Sequence, residues 1–520
     1  MKNLRKVIIV CVLIVATICL FACDTQTPTC THVDADGNYI CDKCRQQLPI
    51  PECKTHIDSN GDDICDVCHK NIASSNDDVS VDMFSINDLH GKFVDSDSQP
   101  GVDNLTTYFR EQKEENPNTV LLSAGDMWQG GVETGLTRGS IVTEWMNELD
   151  FDAMALGNHE FDWGVDAIRA QNEIADFPFV AINVYDVETD TRLDFCSPSV
   201  MIEFDGVDIG IIGAIGDCYS SISSDKVEDI YFKTGNELSS LIRAESNRLR
   251  QVGADFVVLL WHEDYDYYDV SLSNGYIDLV FEGHSHQSYV ERDNYGVYHL
   301  QGGGENRGIS SAKIVFGSDA KAKTIVANTV SNYVYAEYEP DGIVNELIEK
   351  YRDQIGYPYE PIATLDRYFS SNTLCDIVAE LYYKVGMEKW GEQYQIVLGG
   401  GYLSARSPYD LDEGSLTYAM LASIFPFDNE IHLCKVSGYS LKENFIFTTN
   451  RRYHIHFGDY GNSVKYDIDD NANYYIIVDS YTTQYKPNGL TFIAEYSPTV
   501  FARDLLADYF KENYPVMNLA

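Results

Sequence analysis

Five short apolar runs constrain the fold of this chain more than any other feature. Each is followed by residues of types that can bind metal ions. The runs are "VDMFSI", "NTVLLSA", "FDAMAL", "ADFVVLLW" and "IDLVFEG", and helix-like stretches separate them. This alternation is typical of layered α/β domains. At 520 residues the chain is also longer than one hydrophobic core usually organises. We therefore expect an α/β fold with at least two domains.

The residues that follow these runs form a set suited to two metal ions. Side chains at the carboxyl ends of parallel strands meet at one edge of a sheet, even when they are far apart in the sequence. Two ions that activate water need a shared carboxylate and several neutral donors, because carboxylates alone would cancel the positive charge. The candidate ligands are Asp88, His90, Asp126, Asn158, His262, His284 and His286.

The segment "GNHEFDWG", which follows the third apolar run, contains a candidate proton donor as well as a candidate metal ligand. His159 follows Asn158 directly, and Asp162 comes three residues later, where it can orient the imidazole. We expect His159 to donate a proton to a leaving oxygen or to stabilise the transition state. Any one of these polar residues is also explained by a helix cap or a turn. The order of the whole set argues against coincidence.

These blocks, D-x-H, G-D, G-N-H-E, a lone His after a strand and G-H-x-H, resemble the signature of the calcineurin-type metallophosphatases. Residues 80–520 are similar to the exported 5′-nucleotidase family, including its cyclic-nucleotide phosphodiesterase relatives. The resemblance implies a four-layer αββα metallophosphatase sandwich over 79–335 and a linker helix in 336–360, at "DGIVNELIEKYRDQIG" (341–356). It also implies a separate α/β nucleotidase C-terminal domain over 361–520 that binds the substrate.

The same resemblance assigns roles to the candidate residues. It implies two divalent ions, zinc, manganese or similar, and His159 and Asp162 as the catalytic pair. One ion would be held by Asp88, His90, Asp126 and His286, and the other by Asp126, Asn158, His262 and His284. His286 occupies a position where some family members have Gln, which is also a neutral donor.

The second half contains "VLGGGYLSARSPYDLDEGSLTY" and "SIFPFDN", which resemble blocks of the family's C-terminal domain. Glycines allow close backbone approach to a ligand and an Arg fork suits phosphate, although a glycine run alone is also explained by a turn. The implied substrate contacts are Arg367, Gly400, Gly401, Arg406, Phe427 and Tyr481, with Tyr485 as an alternative to Tyr481. Leu398 replaces a family Asn and "YKPNGLT" replaces the late "GGDG", so substrate choice stays open.

The amino terminus is typical of an export signal. Basic residues precede the apolar run Val7 to Phe21, which is short for a membrane span. The run ends in "LFAC", which resembles a bacterial lipoprotein processing site, so we expect a signal peptide over 1–22 and a lipid on Cys23 that anchors the protein on an outer membrane face. An ordinary cleaved signal peptide or an uncleaved anchor is the alternative.

An internal repeat follows, within residues 23–78. Each copy has three cysteines and one histidine, which suits a closed structural zinc site. The two sets are Cys30, His32, Cys41 and Cys44, and Cys53, His56, Cys65 and Cys68. Disulfides fit the same cysteines outside the cytoplasm. Calcium loops fit less well, because Lys43 and Val67 occupy the positions that need a bidentate carboxylate.

Charge limits the class of partner. The chain has 37 basic and 81 acidic residues and a formal net charge of −44, which repels polyanions and disfavours a nucleic-acid polymer as partner. We expect a metal-dependent phosphoric ester hydrolase of the 5′-nucleotidase type, in which activated water attacks phosphorus in line. A 2′,3′-cyclic nucleotide 2′-phosphodiesterase/3′-nucleotidase and a UDP-sugar hydrolase are alternatives. A surface binding module built on a phosphatase scaffold is an alternative of another class.

Overall fold

A computed structural model defines the fold over most of the chain after the cysteine repeats. It describes residues 78–95, 100–204, 206–223, 226–403, 405, 410–448, 452–458, 467–484 and 489–516. The predicted signal peptide, both cysteine and histidine repeats, and the predicted sites at Cys23, Arg406 and Tyr485 lie outside these residues. Among the described residues, no helix combines the length and apolarity needed to cross a membrane.

The first half contains fourteen described strands and six described helices. The strands are β1 (Val79–Ile86), β2 (Thr119–Ser123), β3 (Ala153–Ala155), β4 (Phe179–Val180), β5 (Val184–Asp186), β6 (Ser199–Phe204), β7 (Val207–Ile215), β8 (Ile230–Phe232), β9 (Phe256–His262), β10 (Leu279–Glu282), β11 (Ser288–Arg292), β12 (Tyr298–Gly302), β13 (Gly308–Phe316) and β14 (Ala322–Ser331). The helices are α1 (Val102–Glu115), α2 (Val132–Leu136), α3 (Ser140–Glu148), α4 (Val165–Ile174), α5 (Gly235–Val252) and α6 (Asn332–Tyr335).

Two six-stranded sheets form the centre of this half. Their spatial orders are β14-β13-β1-β2-β3-β4 and β11-β12-β10-β9-β7-β6. Strands β1 to β4 are parallel to one another, as are β7, β9, β10 and β12. A fully buried apolar layer that includes Met83, Leu122, Val258 and Leu260 joins the two sheets.

Helices cover the outer faces of both sheets. Trp145 of α3 is fully buried in the cluster on the first sheet, and its indole N–H donates to Thr106 Oγ1 of α1 at 2.8 Å. Ile242 and Leu249 of α5 pack in the same way on the second sheet. Strands covered on both faces read as continuous apolar runs, which explains "VVLLW" in β9. The four-layer αββα arrangement confirms the predicted fold class.

The second half forms a separate α/β unit. Two linker helices, α7 (Ile343–Lys350) and α8 (Arg352–Ile355), precede it. Its elements are β15 (Pro361–Leu365), α9 (Ser371–Trp390), β16 (Ile396–Tyr402), β17 (Gly414–Thr417), α10 (Tyr418–Ile424), β18 (Ile431–Ser437), α11 (Gly438–Leu441), β19 (Tyr453–His456), β20 (Asn473–Asp479), α12 (Ser480–Gln484), β21 (Thr491–Glu495) and α13 (Ala502–Asn513). A five-stranded sheet has the order β19-β16-β20-β18-β21. Helices α9, α10 and α13 contribute to the larger core on it.

The segment between the halves differs from the single helix expected over 341–356. It consists of the two short helices α7 and α8, with Tyr351 between them. The Tyr351 hydroxyl donates to Glu144 Oε1 of α3 at 2.6 Å, and Leu347 is buried in the core of the first half. The expected single helix is therefore interrupted at Tyr351, and this segment packs against the first half.

The two halves contact each other directly. The Trp163 indole N–H donates to Asp428 Oδ2 at 3.1 Å, and Lys226 Nζ lies 2.9 Å from Glu430 Oε1. Val132 of α2 also packs in a small apolar cluster with residues of α10. These contacts border a cleft between the halves.

Candidate active site between the two halves

The structure brings all seven predicted ligands together at one edge of the two sheets. The first sheet supplies the residues that follow β1, β2 and β3, and the second supplies the last residue of β9 and the two histidines after β10. The side chains are Asp88, His90, Asp126, Asn158, His262, His284 and His286. The site therefore lies where two parallel strand sets end side by side.

Asp126 lies between two groups of these side chains. Its Oδ2 is 3.3 Å from His262 Nε2 and 3.8 Å from His90 Nε2. On the His90 side, His286 Nε2 lies 2.9 Å from His90 Nε2 and 3.4 Å from Asp88 Oδ1.

Asn158 completes the group on the other side of Asp126. Its Oδ1 is 3.2 Å from His262 Nε2 and 3.1 Å from His284 Nδ1. Carboxylate, amide and imidazole atoms thus converge in two neighbouring groups that share one carboxylate, which is the donor chemistry that a two-metal centre needs.

Backbone carbonyls fix the tautomers of two of these histidines. His262 Nδ1 lies 2.7 Å from Ala124 O, and His90 Nδ1 lies 3.0 Å from Gln129 O. A carbonyl only accepts, so each Nδ1 carries a proton and each Nε2 points toward the carboxylates, where it can bind either a second proton or a metal ion. Lone pairs and carboxylates that face one another repel unless a cation lies among them. The residues present therefore fit divalent ions.

Electrostatics in this pocket favour positive charge. Burial raises the pKa of Asp88 to about 7, and the nearby Asp126 carboxylate adds to the increase. Burial disfavours the charged form of His262, but the Asp126 and Asp88 carboxylates outweigh it and raise the pKa of His262 to about 10. Both shifts reflect carboxylates that are held close together away from water.

The backbone at the ligands is strained. Asp88, His90, Asp126, His284 and His286 have φ angles of 50°, 48°, 58°, 77° and 58°. Non-glycine residues rarely adopt this left-handed region, at a cost of about 1–3 kcal/mol each. Five of the seven ligand candidates share this conformation, so the surrounding structure holds the side chains in place before any ligand binds.

Glu160 is one source of that rigidity, and the sequence analysis gives it no role. Its carboxylate is fully buried and accepts backbone N–H groups from Asp126 and Met127 at 2.8 Å and from Gly157 at 2.7 Å. It thus ties the loop after β2 to the loop after β3. Its place in "GNHE" is a sequence signal, but its partners Asp126 and Met127 belong to another loop.

His159 lies beside the metal-ligand cluster and lines the cleft. Its Nδ1 is 2.8 Å from Asp162 Oδ2, and its backbone N–H donates to Asp126 Oδ1 at 2.8 Å. Burial raises the pKa of Asp162, and the His159 imidazole partly offsets this. The carboxyl group of Asp162 is thereby placed to orient the ring, as the sequence predicts.

The cleft has a volume of about 690 Å³ and is lined by both halves. Phe427 contributes a ring 6.0 Å from that of His159, at an interplanar angle of 25°. Tyr481 and Tyr402 line the same cleft, with ring centroids 5.6 Å apart. Aromatic surface therefore continues from the ligand cluster into the second half.

The other predicted substrate contacts that the structure describes, Arg367, Gly400 and Gly401, do not line the cleft. Arg367 is exposed, and its guanidinium lies over the Phe369 ring at 5.0 Å. Gly400 and Gly401 are in β16 with φ angles of 124° and 149°. A Cβ there would lie 2.0 Å from His454 O and 2.6 Å from Thr482 Oγ1, so these glycines allow close packing within the second half.

Two basic residues of the cleft are absent from the sequence-based prediction. Lys226 reaches it from the first half, and Arg452 reaches it from the second, where its Nη1 donates to the Tyr402 hydroxyl at 2.6 Å. Neither residue belongs to a recognisable motif. Only the arrangement of the two halves identifies them.

Comparison with known proteins agrees with this geometry. Residues 85–288, which include all seven candidate ligands together with His159 and Asp162, match the calcineurin-like phosphoesterase family. Residues 85–288 therefore form a calcineurin-like phosphoesterase domain. Phosphoesterases of this family bind divalent metals, and the chain is a metal-dependent phosphoric ester hydrolase.

Known proteins are similar to this chain over about two thirds or more of its length. An apyrase of Tabanus yao is 27% identical over 415 residues, which cover 70% of this chain and 72% of the relative. The human 5′-nucleotidase is 24% identical over 395 residues, covering 68% and 67%. The structure of a 5′-nucleotidase precursor from Thermus thermophilus has the same fold, with a TM-score of 0.62, 18% identity, and coverage of 84% of this chain and 97% of that one.

Proposed function

We propose that this chain releases phosphate from nucleotides in the manner of a 5′-nucleotidase, with the substrate bound in the cleft between the halves. The observation that carries the proposal is the position of Phe427 and Tyr481, which line one cleft together with His159 and Asn158. Aromatic rings beside a phosphoesterase centre suit a substrate that has a nucleobase. The apyrase and 5′-nucleotidase relatives support the same substrate class.

The proposed reaction divides tasks among the side chains. When bound, two divalent ions supply charge neutralisation for the phosphoryl oxygens and lower the pKa of water. Asp88, His90, Asp126 and His286 would hold one ion, and Asp126, Asn158, His262 and His284 the other. Asp162 accepts from His159 Nδ1 and thereby orients the ring, so that Nε2 exchanges a proton with the leaving oxygen or stabilises its charge.

Phosphate orientation in the cleft needs positive charge in a chain that is strongly acidic. Arg452 and Lys226 provide it among the described lining residues, and Arg406 stays a predicted contact. A cleft of about 690 Å³ is within the range of sites that bind molecules of this size. We also propose export and a lipid at Cys23, supported by the basic and apolar amino-terminal sequence.

A substrate screen tests this function. Purified full-length chain is treated with a chelator and then supplied with Mn²⁺ or Zn²⁺, and phosphate release is measured from adenosine 5′-monophosphate, 2′,3′-cyclic AMP, UDP-glucose and p-nitrophenyl phosphate. We expect turnover only with an added ion and the highest kcat/KM on the 5′-mononucleotide. A preference for the cyclic nucleotide or nucleotide sugar would overturn the 5′-nucleotidase assignment, and no turnover at full metal content would favour a binding module.

A further inference from the structure

A second group of metal-binding side chains lies outside the active site, in the sheet of the second half. It consists of Glu430, His432 and Glu495, whose ligand atoms all lie within 4.8 Å of one another. Glu430 and His432 are two residues apart at the start of β18 and therefore point to the same face. Glu495 is the direct cross-strand partner of His432 on β21, the edge strand.

The hydrogen bonds around His432 fix its tautomer. Its Nδ1 lies 3.1 Å from Thr483 Oγ1, and the Thr483 hydroxyl donates its one proton to Asp479 O at 3.1 Å. The hydroxyl can therefore only accept from His432, so Nδ1 carries the proton. The lone pair of Nε2 then faces Glu430, whose Oε2 lies 3.7 Å away.

A lone pair in this position attracts a cation, which is either a proton that makes His432 an ion-pair partner of Glu430 or a metal ion. The His432 side chain is 9% exposed, and burial makes a lone pair that faces carboxylates costly. The fixed Nδ1–H is the usual state of a metal-ligating imidazole. Ligand atoms about 2.0–2.2 Å from a tetrahedral zinc are roughly 3.3–3.6 Å apart, close to the observed 3.7 Å.

We propose that Glu430, His432 and Glu495 bind a divalent transition-metal ion of the Zn²⁺ class, with water as the fourth ligand. One imidazole and two carboxylates are a donor set that zinc accepts. This ion is distinct from those of the active site, because the three ligands come from the second half and none is a candidate ligand of the phosphoesterase centre.

The proposed site is connected to the contact between the halves. Lys226 of the first half lies 2.9 Å from Glu430 Oε1, so a bound ion and Lys226 compete for the same carboxylate. Glu430 also exchanges backbone contacts with Ser480, which lines the cleft: Ser480 N donates to Glu430 O at 2.8 Å, and Glu430 N donates to Ser480 Oγ at 3.1 Å. Zinc binding therefore weakens one contact that joins the halves beside the cleft.

The test measures zinc binding rather than activity, so its result is independent of the proposed substrate. Chelated full-length wild type, Glu495→Gln and a control, Glu388→Gln, are dialysed against micromolar ZnCl₂, and zinc per chain and Kd are measured. Glu495 and Glu388 are both exposed residues of the second half. We expect Glu495→Gln to hold one zinc fewer, with Kd at that site raised at least about tenfold, and the control to match wild type.

A second variant tests the competition. Lys226→Ala is expected to tighten zinc binding by about two- to fivefold, the value of a partly exposed ion pair. The effect should disappear when Glu495→Gln is added.

Equal zinc content and Kd in all variants and wild type would overturn the proposed site, and an unchanged Kd in Lys226→Ala would overturn the proposed competition. If Glu495→Gln does not fold, anomalous diffraction at the zinc edge from wild-type crystals decides, by a peak or no peak among the three side chains.

Discussion

At the scale of single residues, Asp126 organises the active site through both of its carboxylate oxygens. Oδ2 faces His262 and His90, and Oδ1 accepts the backbone N–H of His159. Burial disfavours its charge, but the imidazoles of His262 and His159 outweigh burial and hold the pKa of Asp126 well below its usual range. The side chain is thus anionic and shared by both ligand groups.

Metal ligands and the proton-transfer residue are separable by substitution. We expect Asp126→Asn or Asn158→Ala to abolish turnover and to lower metal content, because the first removes the shared negative charge and the second removes a donor oxygen. His159→Ala should lower kcat by about 10²- to 10⁴-fold while metal content stays near that of wild type. Elemental analysis of each variant, beside its kcat, is the measurement. Loss of both metals from His159→Ala would contradict its assignment as a residue that does not bind metal.

At the scale of elements, Gln301 of β12 holds the loop that carries His284 and His286. Gln301 is fully buried; its Oε1 accepts from Gln287 N at 2.9 Å and from Ser285 Oγ at 3.1 Å, and its Nε2 donates to Gly283 O at 3.1 Å. One amide side chain therefore binds both ends of the loop. We regard Gln301 as a positioning residue for the two histidines.

Removing the Gln301 amide should loosen this loop. Gln301→Leu has similar volume but leaves Gln287 N and Gly283 O without this partner, so we expect metal affinity to fall by about 10- to 100-fold and stability by about 1–3 kcal/mol. Metal titration and thermal unfolding measure the two effects. Gln393→Leu, at an exposed position, is the matched control. Wild-type metal affinity in Gln301→Leu would show that the loop needs no such support.

The strand ends of the site could be predicted from the sequence. Apolar runs that stop at Asp, Asn or His marked β1, β2, β3, β9 and β10, and the rule that parallel strands end at one edge brought their distant residues together. The apolar pattern alone could not predict which of these strands belongs to which of the two sheets. It also could not predict Glu160 or Gln301, because a buried amide or carboxylate is recognisable only when its backbone partners in other loops are known.

The second half was harder to predict, for a physical reason. A glycine run fits both a ligand-binding loop and close packing of strands, and in β16 the neighbours are His454 and Thr482. The family resemblance implies Arg367 as a substrate contact, whereas its guanidinium packs on Phe369. Lys226 and Arg452 depend on how the halves meet, which no local pattern records.

At the scale of the whole molecule, the two halves have different tasks. The first half contains every candidate ligand of the active-site ions and the His159–Asp162 pair, which act on the phosphate group that all phosphate esters share. The second half contributes Phe427, Tyr481 and Arg452 to the cleft. The central claim is that selectivity for nucleotides depends on these contacts across the cleft.

The ratio of kcat/KM for adenosine 5′-monophosphate to that for p-nitrophenyl phosphate, measured on one preparation of wild type and of Phe427→Ala at equal metal content, tests this claim most directly. Stacking of a base on an aromatic ring contributes about 1–3 kcal/mol, so Phe427→Ala should lower kcat/KM for the nucleotide by roughly ten- to a hundredfold. The aryl phosphate should change much less, and Phe447→Ala, at an exposed position of the same half, should leave both substrates unchanged. Equal losses on both substrates, or no loss on the nucleotide, would contradict the account.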